Sequence, residues 1–285
     1  MPLNYEALAN WKFEDVRQTL TKRDTMLNAL ALGFGEDPLD EKELAYVYED
    51  GLMAVPSMAV TLGYPGFWLR DPRTGIDWKK VLHGEQWLEV YKPLPVDGEL
   101  TGRTRIDQIS DKGEGRGAVI YLCRDIIDTA SGETLAKVSM STFCRGDGGF
   151  GGENKPGPAP ASIPERAPDH VCELATLPRQ ALIYRLLGDY NPLHADPKVA
   201  RAAGFERPIL HGLATYGLAA RAILKTICDY EAGRLAGLDV RFSAPVYPGE
   251  TVRFDIWREG DEARFRASIP ARQVVVLNNG AARFA

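Results

Sequence analysis

Apolar positions change period along this chain. Residues Gly212–Asp229 carry Leu213, Ala214, Tyr216, Leu218, Ala219, Ala220, Ile223, Leu224 and Ile227, so the segment is apolar on nearly every face. That pattern predicts a buried helix. After it the period falls to two. Arg241, Phe242 and Ser243 alternate, as do the residues from Thr251 to Ile256. Alternation of this kind predicts half-buried strands, here over 239–244, 251–258, 263–269 and 272–277. The first half predicts strands over 86–91, 100–106, 118–126 and 135–143. Each half reads in the same order: a helical opening, a turn, an apolar helix, then a run of strands. The pattern specifies an α+β fold with antiparallel character.

The halves are separated by a composition break. Residues 146–168 are rich in Gly and Pro, beginning Gly-Asp-Gly-Gly-Phe-Gly-Gly and continuing into Pro156, Pro158, Pro160 and Pro164. Glycine disfavours regular structure and proline removes backbone donors, so this segment predicts a linker, stiffened in its second part. It divides the chain into 1–145 and 169–285. The two parts echo one another. Gly35-Glu36-Asp37-Pro38-Leu39-Asp40 parallels Gly188-Asp189-Tyr190-Asn191-Pro192-Leu193-His194. Val55-Pro56-Ser57 parallels Leu210-His211-Gly212, and Asp97-Gly98-Glu99 parallels Pro248-Gly249-Glu250. The offsets run only from 151 residues (Gly98 to Gly249) to 155 (Ser57 to Gly212). A near-constant offset indicates duplication of one unit.

The second copy carries the chemistry. Asp189 and His194 flank Asn191-Pro192, where proline forces a turn. Such a turn aims a carboxylate and an imidazole at one small volume, which suits acid–base work on a bound water. The run Tyr184-Arg185-Leu186-Leu187-Gly188-Asp189-Tyr190-Asn191-Pro192-Leu193-His194, with Gly204-Phe205-Glu206-Arg207-Pro208-Ile209-Leu210-His211-Gly212 downstream, resembles the MaoC-like, or 2-enoyl-CoA hydratase 2, family. The likeness is close over 181–218 and weaker over nearly the whole chain. Leu187 departs from it, where many relatives carry a small hydroxyl residue.

The resemblance implies a double hot-dog fold, two repeats each with an antiparallel sheet wrapped round a buried helix, the sheets joined into one. It implies an (R)-specific enoyl-CoA hydratase, a hydro-lyase of fatty acid metabolism, needing no cofactor because the coenzyme A thioester is itself the substrate. Asp189 and His194 would hold the water, with Asn191 supporting them. The backbone N–H of Gly212, at the start of the buried helix, would face the thioester oxygen, since helix N-termini present free donors. His211, Arg207 and Tyr184 are expected around the substrate. The first copy has no His at the motif, and Pro56 and Ser57 replace His211 and Gly212. It is expected to be inactive and to shape an acyl tunnel with Met53, Met58, Leu62, Tyr64, Phe67 and Trp68. His83-Gly84-Glu85 reads as a turn or an interface contact. A homodimer is a further implication of the resemblance.

Composition narrows the field. The chain has 285 residues, 45% of them hydrophobic, and a formal net charge of −5. No basic tract stands out, so nucleic acid is not an expected partner. No apolar run reaches the roughly 20 residues that cross a bilayer. Neither a secretory leader nor a Ser-Lys-Leu address is read at the termini, so a cytoplasmic setting is expected. Cys123, Cys144, Cys172 and Cys228 are scattered and predict reduced thiols, and no His/Cys grouping has zinc-ligand spacing. The glycines at 148–152 lack the strand–turn–helix setting of a nicotinamide site. Two other readings stay open: a hot-dog acyl-CoA thioesterase, and a non-catalytic acyl-CoA or acyl-carrier-binding protein.

Overall fold

The computed structural model describes residues 3–285. Ten strands form a single sheet: β1 (Val16–Leu20), β2 (Val81–Val90), β3 (Gly98–Asp111), β4 (Ala118–Asp128), β5 (Thr134–Cys144), β6 (His170–Ala175), β7 (Leu235–Phe242), β8 (Thr251–Glu259), β9 (Glu262–Ile269) and β10 (Val274–Phe284). Their spatial order is β1-β3-β4-β5-β2-β7-β10-β9-β8-β6. Every pairing is antiparallel, and the β2–β7 ladder, with Gln86 opposite Val240, joins the halves. The helices are α1 (Tyr5–Ala9), α2 (Lys22–Ala31), α3 (Glu41–Leu44), α4 (Gln180–Tyr184), α5 (Pro197–Ala202) and α6 (Gly212–Thr226).

The 15-residue α6 is the buried helix of the second half. Tyr216, Leu218, Ile223 and Leu224 on it are at most 1% exposed, each side chain contributing about 1.5–3 kcal/mol by leaving water. The Tyr216 hydroxyl donates to the Leu238 carbonyl at 2.8 Å, so its polar end is satisfied inside the core.

The counterpart in the first half is much shorter than the sequence pattern suggests. It is a six-residue 3₁₀ turn, Pro56–Thr61. Pro56 starts it, and Gly63, at φ 56°, stops it. Gly63 presses on β3 so closely that a Cβ on Gly102 would stand 2.2 Å from the Gly63 oxygen. Pro65 and Gly66 follow, and the chain goes on in further 3₁₀ turns at Trp68–Arg70, Pro72–Thr74 and Trp78–Lys80.

The Gly/Pro segment between β5 and β6 has no regular structure, but it is fastened. The Asp111 carboxylate accepts the backbone N–H groups of Gly113, Gly149, Gly151 and Gly152 at 2.7–3.2 Å. Asn279 donates to the Ala161 carbonyl at 2.7 Å and Trp257 to that of Arg166 at 2.8 Å. The segment thus lies along the sheet face turned away from α6, where strand alternation places Asp239 and Arg241 opposite Leu238 and Val240.

Polar groups also tie the halves inside the core. Arg221 of α6, 2% exposed, forms a two-pronged contact with Glu43 of α3, its Nε and one terminal nitrogen each 3.0 Å from a carboxylate oxygen. Tyr230 and the Gly35 N–H donate to the same carboxylate at 2.9 Å. Both charges are therefore fully hydrogen-bonded, the condition under which a buried ion pair is tolerated.

Candidate active site

The motif folds as a series of short capped turns. α4 runs into a 3₁₀ turn at Arg185–Leu187, and Gly188 ends it at φ 113°, a conformation suited to glycine. Asp189 follows, its carboxylate accepting the Asn191 N–H at 3.1 Å. Asn191 caps the next 3₁₀ turn, Pro192–His194, by accepting the Leu193 N–H at 3.1 Å. Asn191 thus fixes the loop that carries His194. Asp196 then caps α5 with Pro197 in its first position, as the sequence suggests.

His194 is 8% exposed and His211 1%. The Nδ1–H of His194 donates to the Ile209 carbonyl at 2.9 Å. A carbonyl only accepts, so the proton sits on Nδ1 and the Nε2 lone pair is free. His211 in turn donates Nε2–H to the Asp189 backbone carbonyl at 3.2 Å. The two rings stack at 3.8 Å between centroids and 27° between planes, and Tyr184 packs beside His211 at 5.0 Å. Burial pushes the His194 pKa below its ordinary value, against the Ile209 carbonyl and Asp189, which raise it. Burial, and then His194, push His211 down to about 4. Both imidazoles are neutral at pH 7.

Ligand-type atoms of Asp189, His194 and His211 lie within 4.8 Å of one another. An imidazole binds a metal in its own plane along the lone pair. Two nearly parallel rings 3.8 Å apart cannot both point at one ion about 2.1 Å away. A water can bridge groups at such spacing instead: two hydrogen bonds of about 2.8 Å at a tetrahedral angle reach up to about 4.6 Å.

α6 begins beside this cluster. Its first turn closes with Ala214 N–H on the His211 carbonyl at 3.0 Å, which leaves the Gly212 and Leu213 N–H groups outside the helical ladder. A Cβ on Gly212 would stand 3.3 Å from the Phe242 ring, so glycine lets the helix end sit against that ring.

Phe242 also packs against His83 at 4.7 Å. His83 was expected in a turn or at an interface. It lies within β2, at a register break between His83 and Glu85, and bulges of this kind re-aim side chains. Desolvation lowers its pKa to about 4, and it feels the Asp189 charge. A first-half residue thus packs on the ring that lies against the start of α6.

The remaining expected residues fall in different places. Tyr184 is 3% exposed and backs His211 instead of facing the opening. Arg207 is exposed, its guanidinium 5.1 Å from the Tyr247 ring, with Arg272 on the same ring at 5.1 Å. Of the proposed tunnel residues, Met58 and Leu62 are core, at 2% and 0% exposure, and Met53 packs against that core. Trp68 joins an aromatic cluster with Trp11 and Phe13. Tyr64 and Phe67 remain partly exposed.

A MaoC-like domain model matches residues 160–279, and an MFE-2 hydratase 2 N-terminal domain model matches 18–146. An enoyl-CoA hydratase of Mycobacterium tuberculosis, ChsH3, is 39% identical over 98% of this chain and 98% of its own. The chain belongs to the MaoC-like enoyl-CoA hydratase 2 family. The crystal structure of a MaoC-like dehydratase from Phytophthora capsici superposes with a TM-score of 0.87 at 34% identity, covering 99% of each chain. A second M. tuberculosis protein, described as a double hot-dog fold, matches at TM-score 0.56 and 15% identity and shares the fold. This member of the family keeps the double hot-dog arrangement with one full central helix, α6.

Proposed function

We propose that this protein catalyses the reversible hydration of trans-2-enoyl-CoA to (3R)-hydroxyacyl-CoA, using the second-half site alone. The observation that carries this reading is the grouping of His194, its Nε2 lone pair left free by the Ile209 contact, with Asp189 and His211, their ligand-type atoms within 4.8 Å of one another beside the start of α6. Asp189 and Nε2 accept the two protons of one water and so aim its oxygen lone pair at C3. As the oxygen–C3 bond forms, Nε2 takes one proton. The C2–C3 π electrons move toward the thioester oxygen, where the Gly212 N–H stabilises the charge. The imidazolium then returns a proton to C2 on the same face, and the hydroxyl keeps the other. Dehydration runs these steps backwards, and no cofactor takes part.

Arg207, with Arg272 nearby, is the cationic group offered to the coenzyme A phosphates. The first half, which lacks the motif, walls the acyl site. The homodimer and the cytoplasmic setting belong to this reading too. All four cysteines are free and buried, and among the described residues no helix is long and apolar enough to cross a membrane.

The test is product analysis after incubating the purified protein with a trans-2-enoyl-CoA in D2O. One deuterium at C2, added on the face that receives the hydroxyl, with a (3R) centre, supports the assignment. Release of free coenzyme A thiol from saturated acyl-CoAs, without hydration, replaces it with the thioesterase reading.

A further inference from the structure

Arg124 sits in the middle of β4 and is 5% exposed, yet among the described residues no carboxylate pairs with it; the titratable groups beside it are Tyr64 and Cys123, both neutral at pH 7. One terminal nitrogen donates to the Val60 carbonyl at 2.8 Å, and Nε has no partner. The contrast with Arg221, fully engaged by Glu43, is sharp. An unpaired buried charge is costly unless something completes it.

A second unpaired group stands next to it. Thr104 of β3 is directly opposite Arg124 in the ladder, is 8% exposed, and its hydroxyl has no partner. Directly opposed residues on one sheet face have Cβ atoms about 5 Å apart. This polar row divides the core of the first half. Ile126 and Val138 belong to one apolar cluster, and Leu122 and Met140 to the other. Between them is a recess lined by Tyr64, Thr104, Leu122, Arg124, Val138 and Met140. It lies beneath the shortened 3₁₀ turn at Pro56–Thr61, whose Val60 touches Arg124. Tyr64, whose ring covers the guanidinium at 5.4 Å, feels the charges of both Arg124 and Asp189.

We propose that Arg124 and Thr104 receive the far end of the acyl chain and that this end is a carboxylate, so that the protein takes mono-thioesters of unsaturated dicarboxylic acids. The proposal rests on the hydratase reading and names its substrate class. Arg124 Nε–H and the Thr104 hydroxyl offer donors on adjacent strands to the two oxygens, and Leu122, Val138 and Met140 flank the methylenes. Burial lowers the Arg124 pKa to about 10, which leaves it cationic at neutral pH. The recess holds about 10 Å³ in this structure, so a carboxylate enters as the half-exposed Tyr64 ring swings off the guanidinium. The backbone there is held, since Gly63 donates to the Gln18 side chain at 2.8 Å.

The experiment compares kcat/KM for two trans-2-enoyl-CoAs of equal length, one ending in a methyl group and one in a carboxylate, with wild type, Arg124→Met and Thr104→Val. Wild type is expected to favour the carboxylate by about tenfold or more, the size of one charge-assisted contact. Arg124→Met reverses that preference by losing far more kcat/KM on the carboxylate substrate than on the methyl one, and Thr104→Val weakens it several-fold. Equal treatment of both substrates by wild type, or an equal loss on both in Arg124→Met, overturns the proposal and makes the row a structural feature. If wild type hydrates neither substrate, the hydratase reading is what has failed. Calorimetric binding of the saturated carboxylate-ended acyl-CoA to wild type and Arg124→Met then decides the recess separately: tighter binding by wild type supports it, and equal binding overturns it.

Discussion

His194 donates its Nδ1–H to the Ile209 carbonyl at 2.9 Å, and this contact leaves Nε2 as the nitrogen with a free lone pair. Ile209 lies in the strand-like approach to α6, just before Leu210, whose N–H is held by the Val246 carbonyl at 2.7 Å. The tautomer of the base is therefore tied to the same segment that places the start of the helix. His194→Gln and Asp189→Asn are each expected to lower kcat/KM by about a hundredfold to ten-thousandfold. Their thermal midpoints should stay near wild type. Near-normal turnover in either variant removes that residue from the mechanism.

The pH dependence follows from burial. The pKa of His194 is lowered in the folded protein, so the base stays unprotonated to a pH below the ordinary histidine value of about 6.5. The acidic limb of kcat/KM is expected below 6.5 for that reason; a limb above it contradicts the assignment. Stability has a related window. His211 falls from 6.5 to about 4 on folding, so the unfolded chain takes up the proton first as pH drops. The stability this group contributes is complete above 6.5 and is lost as pH falls towards 4. Urea titrations at stepped pH measure the slope, and His211→Gln should flatten it.

Arg221 and Glu43 predict a stability effect remote from the chemistry. Removing one partner leaves the other charged in the core, at a cost of about 3–5 kcal/mol. Arg221→Met and Glu43→Gln should each show it by chemical denaturation. The double variant should recover part of the loss, because no charge is then stranded. Full additivity would show that the two groups do not act as a pair.

Gly212 and Phe242 predict a steric effect on catalysis. Gly212→Ala brings a methyl to 3.3 Å from the ring, so the helix start or the ring must shift. A displacement of that kind is expected to lower kcat about tenfold to a hundredfold, with little change in stability. Adding Phe242→Leu should restore part of the rate. No recovery in a folded double variant would mean that the N–H position is not the cause.

The sequence shows the duplicated α+β plan, the buried helix and the Asp189–His194 turn, because each leaves a local signature: a period, a proline, a cap. What it hides depends on distant neighbours. The helix expected after Val55 is cut short because Gly63 must pack on Gly102, a contact between residues 39 positions apart. Arg221 sits in an apolar helix without a sequence sign that Glu43 will meet it. His83 reads as a turn because its Gly84 resembles punctuation, whereas the glycine serves a bulge tight against Ser141. β6 and the last residues of β10 carry too little alternation to be recognised. Arg124 is one more charged residue in a strand until the register puts it beside Thr104 with nothing to pair with.

The most direct measurement is the decay of conjugated enoyl-thioester absorbance on adding purified protein to short, medium and long trans-2-enoyl-CoAs, run beside Asp189→Asn. Turnover at one or more lengths that vanishes in the variant, with a (3R) product, is the predicted result. Folded protein that leaves the absorbance unchanged at every length, or a variant as fast as wild type, contradicts the account.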